Sequence, residues 1–166
     1  MQEAFSTQLV GMLPRLRRFA LALSGDPDRA DDLVQTACTR ALASTAQWQA
    51  GTRMDSWMYR IVQNLWIDQR RSVAAAGVAS VEDDVDALPE AVDFEQAVHA
   101  QISLAQVLQA MQSLPDAQRS LLALVSIEGL SYREAAEVLQ LPIGTVMSRL
   151  CRARTALKVR LQEASA

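Results

Sequence analysis

Thr145, Met147, Ser148, Cys151 and Arg152 are spaced so that one face of a helix can offer them together to the edges of DNA bases. At roughly 100° per residue, Val146, Leu150, Ala153 and Leu157 fall within one narrow arc, the face that must be buried. Ser148 stands almost directly opposite that arc, flanked by Thr145, Met147, Cys151 and Arg152. From Leu141 to Leu161 the chain carries five cations (Arg149, Arg152, Arg154, Lys158 and Arg160) and no acid. A merely solvated helix usually mixes signs, so the charge run favours phosphate over water as its neighbour.

A second helix must hold this one in place. Ser131 followed by Glu134 is a capping-box start, and Ala135, Val138 and Leu139 then recur at helical spacing. Pro142 cannot continue that helix but suits the first turn of the next. Two short helices and a tight turn, with a polar and basic face opposite the core, make a helix-turn-helix able to enter a major groove. The plain alternative is a helical hairpin with a solvated basic face.

Upstream, Asp26-Pro27 opens another helix, with Asp26 as N-cap, Pro27 in the first turn and Asp28 set against the helix dipole. Ala30, Leu33, Val34, Ala37, Cys38, Ala41, Leu42 and Thr45 follow at amphipathic spacing and form its expected buried stripe. Asp31, Asp32, Gln35 and Arg40 lie on the opposite surface. Leu9 to Leu23 predicts a preceding helix with a basic patch at Arg15, Arg17 and Arg18. "QWQAGTR" reads as a loop, and "MDSWMYRIVQNLWIDQRR" as a third helix whose buried stripe is Trp57, Met58, Ile61 and Leu65. Arg60, Asn64 and Arg71 cluster on one flank, with Asp68 at the edge of the stripe. Arginine-rich helix ends beside a loop containing Trp48 suit single-stranded DNA, although a three-helix bundle with a solvated rim needs no DNA at all.

The whole chain bounds these readings. Its 166 residues allow one ordinary domain or two small ones, half of them are hydrophobic, and only eight are aromatic. No run of alternating β-branched residues suggests strands, so the expected class is all-α. No apolar run reaches membrane-span length and no signal-peptide core opens the chain, which predicts a cytoplasmic protein. One histidine (His99) and two distant cysteines (Cys38, Cys151) offer neither zinc-ligand spacing nor a nucleophile–base pair, so no metal, cofactor, small-molecule substrate or enzymatic role is expected.

The net charge of −3 hides a division. Residues 12–72 carry nine arginines against six aspartates, and residues 117–166 carry seven cations against four glutamates. Between them, residues 73–116 hold eight acids and no Lys or Arg. The expected architecture is therefore two small helical domains, residues 1–72 and 93–166, joined by an acidic linker over residues 73–92. How the two sit relative to each other is left open.

"DPDRADDLVQTACTRAL", "MDSWMYRIVQNLWIDQRR" and "LPDAQRSLLALVSIEGLSYREAAEVLQLPIGTVMSRLCRARTALK", in that order around an acidic linker, resemble a bacterial RNA polymerase sigma factor of the extracytoplasmic-function (ECF) group. The resemblance covers roughly Leu13 to Leu161, and "RADDLVQ" with "EGLSYREAA" further resembles the general-stress branch of alphaproteobacteria.

The resemblance implies a factor that binds core RNA polymerase, at the β′ clamp and β flap, and directs initiation at promoter DNA under the restraint of an anti-sigma factor. Asp31, Asp32 and Gln35 would grip the clamp. The stretch from Trp48 to Arg53, with Arg60, Asn64, Asp68 and Arg71, would melt and hold the −10 element. Thr145, Met147, Ser148, Cys151 and Arg152 would read the −35 element, with Arg149 and Arg154 meeting phosphates or staying within the domain.

Three positions depart from the family pattern: Thr36 where Glu is usual, Met147 where Arg is frequent, and Cys151 where a larger side chain is common. They bear on promoter sequence rather than on role. The acidic linker suits a basic polymerase channel, or equally a solubilising tether. Two rivals remain. One is a dimeric regulator ending in a helix-turn-helix, for which residues 1–72 show no effector pocket or dimer helix. The other is a sigma-mimicking module that sequesters an anti-sigma factor without touching DNA.

Overall fold

The computed structural model describes residues 2–49, 51–75 and 103–164. Among these the chain forms seven α-helices: α1 (Gln2–Ser24), α2 (Pro27–Ala43), α3 (Met54–Ala75), α4 (Leu104–Met111), α5 (Asp116–Leu122), α6 (Tyr132–Leu139) and α7 (Ile143–Ala164). No strand occurs among the described residues. Residues 73–75 finish α3; the rest of the proposed linker, 76–92, lies outside the described residues, as do 93–102.

Local chemistry sets the helix ends. Gly25, at φ +69°, donates its N–H to Leu21 O at 2.8 Å and stops α1 in the left-handed conformation that glycine adopts without penalty. Asp26 then caps α2, its carboxylate accepting from the N–H groups of Asp28 at 2.8 Å and Arg29 at 3.2 Å. Ser103 and Gln106 form a reciprocal capping box at α4.

Helices α1, α2 and α3 wrap Leu16, Phe19, Leu23, Leu33, Met58 and Val62, while α5, α6 and α7 enclose Leu121, Leu124, Ala135, Val146, Leu150 and Leu157. The buried side chains of both halves join in one continuous cluster, because α1 packs on α5 and the turn after it, and α3 packs on α6.

Three expectations need correction. Helix α1 begins already at Gln2, and its added turns bring Phe5 under Trp48 and Trp57 in edge-to-face contacts at 5.4 and 6.0 Å. The buried face of α3 is Met54, Met58, Tyr59, Val62, Leu65 and Trp66, with Trp57 and Ile61 only half-buried. The stripe is displaced because α3 is covered by α1 and α2 on one side and by α6 on another. On α2, Leu42 is 49% exposed, since at about 100° per residue it falls well to one side of the buried arc of Ala30, Leu33, Val34, Ala37 and Ala41.

Between α5 and α6 the backbone widens into a π turn, Ala123–Ile127, which sequence periodicity did not indicate. Glu128 N–H reaches back to Ala123 O at 2.9 Å and Leu130 N–H to Leu124 O at 3.0 Å, with Gly129 at φ +75° between them. The extra residue turns Glu128 inward. Replacing Asp26 by Ala should cost about 0.5–2 kcal/mol through the lost cap. Replacing fully buried Leu33 by Ala should cost about 2–5 kcal/mol through the cavity left behind. Denaturant midpoints at unchanged slope will check both.

Candidate nucleic-acid interface

The helix-turn-helix is built as its residues require. Ser131 Oγ accepts from Glu134 N–H at 3.1 Å and caps α6. The capping box is left half-made, because the Glu134 carboxylate is paired with Arg53 of the other half. Helix α6 ends at Gln140, which takes φ 54°, ψ 48°, the left-handed cap that glycine more often supplies. Leu141 N–H closes on Ala136 O at 3.0 Å, and Pro142 O accepts from Thr145 and Val146 to start α7. Val146, Leu150, Ala153 and Leu157 are all buried, the arc read from the sequence, and Leu161 extends it by one turn.

On the other side of α7, Met147 is 48% exposed and Ile143 is nearly as open. Thr145, Ser148, Cys151 and Arg152 are half-buried rather than fully open, and the Ser148 hydroxyl turns back to donate to Thr145 O at 3.2 Å. Arg154 Nη1 donates to the Tyr132 hydroxyl at 3.3 Å, which keeps this side chain within the C-terminal half. Arg149 lines a cavity of about 550 Å³ between the halves, together with Asn64, Arg71, Gln140 and Leu141.

In the N-terminal half, Asn64, Asp68 and Arg71 are exposed and fall on one face of α3 at helical spacing. Arg60, one turn earlier, is half-buried and donates from Nη2 to Glu137 O of α6 at 2.7 Å. Arg53 grips Asp55 through Nε at 3.0 Å and Nη2 at 2.5 Å while pairing with Glu134. Burial works against ionisation of Asp55, but Arg53 and the Ser56 N–H outweigh it and hold the carboxyl below its usual range. Trp48 is half-buried edge-on against Phe5, so its ring is committed to packing on one side. Asp31, Asp32 and Gln35 are exposed on α2, with Asp31 accepting from Arg17 Nε at 2.7 Å.

The sequence reading missed the polar groups that join the halves. Glu128, its side chain withdrawn from solvent, accepts from Arg18 Nε at 2.8 Å and Nη2 at 2.9 Å and from the Tyr59 hydroxyl at 2.8 Å. Arg119 spends its guanidinium on the carbonyls of Met111, Leu23, Gln112 and Leu114 at 2.8–3.0 Å. A lone acid ending the apolar run "LLALVSI" was the available signal for Glu128; its partners, far away in sequence, left none. Among the described residues no group of three or more His, Cys, Asp or Glu side chains could hold a metal ion, and no helix is long and apolar enough to cross a membrane. Cys38 and Cys151 are free thiols, and burial pushes the Cys38 thiol up.

Among the described residues these features define an all-helical protein with a helix-turn-helix whose first helix packs against the polar-faced α3. Family models agree: "Sigma-70, region 4" matches residues 104–157 and "Sigma2 domain of PhyR" matches residues 9–63. The ECF RNA polymerase sigma factor EcfG of Rhodopseudomonas palustris is 34% identical over 159 residues, covering 96% of this chain and 86% of that one. The chain belongs to the ECF RNA polymerase sigma factors.

Among solved structures, the sigma factor RpoE from Bartonella quintana, in complex with the anti-sigma factor NepR, matches with a TM-score of 0.76 at 29% identity, over 96% of this chain and 98% of that one. The anti-anti-sigma factor PhyR of the same organism, complexed with NepR, shares the fold with a TM-score of 0.60 at 17% identity, over 97% of this chain and 50% of that one.

Burial and the adjacent Glu128 carboxylate push the Tyr59 phenol well above its ordinary range. A phenol whose folded value is raised stabilises the fold at neutral pH, and that contribution is lost as pH climbs past the ordinary tyrosine value of about 10. Absorbance titration to about pH 11 should therefore give the same phenolate signal for Tyr59→Phe as for the parent while both stay folded. A smaller signal in the variant would show Tyr59 ionising normally.

Proposed function

We propose that this protein binds core RNA polymerase in the cytoplasm and directs promoter-specific initiation in a stress response, under the control of an anti-sigma factor. Residues 1–72 are the polymerase-binding and −10-melting domain, 73–92 a connecting linker and 93–166 the −35-reading domain. The observation that carries the reading is the presence, on one chain, of two separate polar surfaces suited to DNA. One is the Asn64, Asp68, Arg71 face of α3; the other is the face of α7 opposite the buried Val146–Leu157 arc.

Each surface has its own chemistry. Thr145, Met147, Ser148, Cys151 and Arg152 meet base edges in the −35 major groove, where only base contacts carry sequence information, and Arg149 supplies charge to phosphate. Trp48, Arg53, Arg60, Asn64, Asp68 and Arg71 meet the −10 strand. Unstacking a base there costs a few kcal/mol, which polar groups that hold the freed base must offset. Asp31, Asp32 and Gln35 form the acidic and amide contact with the β′ clamp, and the C-terminal half meets the β flap.

A sigma-mimicking module that sequesters an anti-sigma factor without binding DNA is the second reading, favoured by the match of residues 9–63 to the PhyR domain. The helix-turn-helix argues against it, because a mimic has no use for a reading helix. Run-off transcription with core enzyme and promoter fragments discriminates: a sigma factor yields a promoter-specific transcript, and a mimic yields none.

The two DNA surfaces should fail separately. Arg152→Ala should weaken −35 duplex binding by about 1–3 kcal/mol and relax specificity there. Asn64→Ala should leave −35 binding intact but impair opening, read as lost permanganate reactivity of thymines near the start site. Reversing Asp31 and Asp32 together to Lys should abolish holoenzyme assembly with the thermal midpoint nearly unaltered. The Arg17–Asp31 pair lost with them is exposed, and water competes for both partners, so little stability goes with it.

A further inference from the structure

We infer that the contact between the two halves is an autoinhibitory latch, closed by Glu128 on Arg18 and Tyr59, that keeps the protein from engaging a promoter. The inference rests on the proposed −10 role of Arg53, Arg60 and Asn64, and it gives a role to residues which that reading leaves unused.

Three observations converge. The first is the latch itself. The π turn and Gly129 deliver the Glu128 side chain, 0% exposed, against two helices of the other half. There Arg18 binds it in a two-pronged grip, the Tyr59 hydroxyl donates to it, and Arg15 Nε lies 3.9 Å away. The C-terminal half also closes the end of α1, with Gln112 Nε2 on Ala22 O at 3.0 Å and Arg119 Nη1 on Leu23 O at 2.8 Å. These carbonyls have no partner within their own helix, so a donor from outside is well placed.

The second observation is what the closed form occupies. Arg53 and Arg60, offered above to the −10 strand, are held by Glu134 and by Glu137 O, both on the first helix of the helix-turn-helix. Asn64 and Arg149 line the same interdomain cavity. Guanidinium donors engaged by this carboxylate and this carbonyl are not at the same time available to a phosphate.

The third is distance. Elements centred near −10 and −35 are about 25 base pairs apart, which at 3.4 Å per pair is roughly 85 Å of duplex. Arg53 and Glu134 touch. The closed form therefore cannot present its two reading surfaces to one promoter, and it must open first.

Opening is a shift between two states, and a partner that binds only the open one has its apparent affinity reduced by the open fraction. A closed form populated about ninety-nine parts in a hundred would weaken polymerase binding about a hundredfold. Neutralising Glu128 removes the charge that both Arg18 prongs and Tyr59 address, while Arg18, with half of its side chain exposed, is readily hydrated once released.

The test uses the full chain as parent, Glu128→Gln and Arg18→Gln, neither position being part of the proposed DNA or polymerase surfaces. Both variants should keep the helical circular dichroism, show a larger radius of gyration by small-angle scattering, and bind core polymerase about tenfold more tightly or better. Placing one change in each half guards against misfolding: if Glu128→Gln fails to fold, Arg18→Gln carries the test alone. Unchanged scattering and unchanged core affinity in folded variants would overturn the latch, as would loosening by Glu128→Gln that Arg18→Gln does not reproduce. If the parent gave no promoter-specific transcript, the sigma reading would fall instead, while the scattering comparison would still decide whether Glu128 holds the halves together.

Discussion

A carboxylate taken wholly out of water must be met by cations and donors from its surroundings, and this requirement at Glu128 organises the junction between the two halves. The demand is met from α1 and α3, by Arg18 and Tyr59. Tyr59 is in turn fixed by Phe19, edge-to-face at 5.2 Å, so the donor to Glu128 is rooted in the N-terminal core. Position, packing and charge are thus coupled: the π turn aims the acid, the core of the first half aims the hydroxyl, and the two halves acquire a single mutual orientation. A buried pair of this kind specifies arrangement more than it stabilises, because its Coulomb gain is largely offset by lost hydration.

Arg119 meets the complementary problem. Its guanidinium is nearly as buried, and desolvation pulls it below its ordinary value, but the intrinsic value of arginine lies so high that the group stays charged. Among the described residues its close carboxylate is Asp116, at 3.2 Å. Backbone carbonyls do the rest, including one at the C-terminal end of α1, where the helix dipole favours a cation. Asp116 also accepts from Arg70 at 3.1 Å, and Arg70 and Arg29 lie over the two-ring face of Trp66 at 5.5 and 5.8 Å. Surface pairs such as Arg17–Asp31 have no such leverage, since water competes for both partners.

What the sequence made legible were features whose cause is local. The Asp26-Pro27 start, the Ser131 cap and the Val146, Leu150, Ala153, Leu157 arc all depend on residues within a few positions of one another, and all stand where their spacing puts them. Features set by a second contact surface were not legible. Helix α3 reads as a one-sided amphipathic helix, yet α6 covers a further side of it, so Tyr59 and Trp66 are buried while Trp57 and Ile61 rotate toward the edge. Leu42 extends the apolar pattern of α2 but stands to one side of the arc that its neighbours bury. The π turn is a backbone irregularity with no spacing of its own, and an acid at the end of an apolar run does not announce where its cations come from. The same limit applies to the candidate site. The residue types of α7 were readable, but the half-burial of Thr145, Ser148 and Arg152, and the place of Arg149 beside Asn64, depend on what lies across the interface.

Part of the polar contact at that interface can change partners instead of losing them when the halves separate. In their proposed −10 role, Arg53 and Arg60 would exchange one oxygen ligand for another on passing from Glu134 and Glu137 O to a nucleic-acid phosphate, so the number of charge-assisted bonds at each guanidinium would be conserved. Both cations are at least partly solvated in the closed form, which keeps the exchange near balance. Glu128, like Asp116 opposite Arg70, finds no replacement partner on DNA. It is an anion and gains nothing from a phosphate backbone, so its only compensation on opening is water. Opening therefore gives up the apolar contact shared by the halves and the bonds of Glu128, while Arg53 and Arg60 would change partners with little net effect.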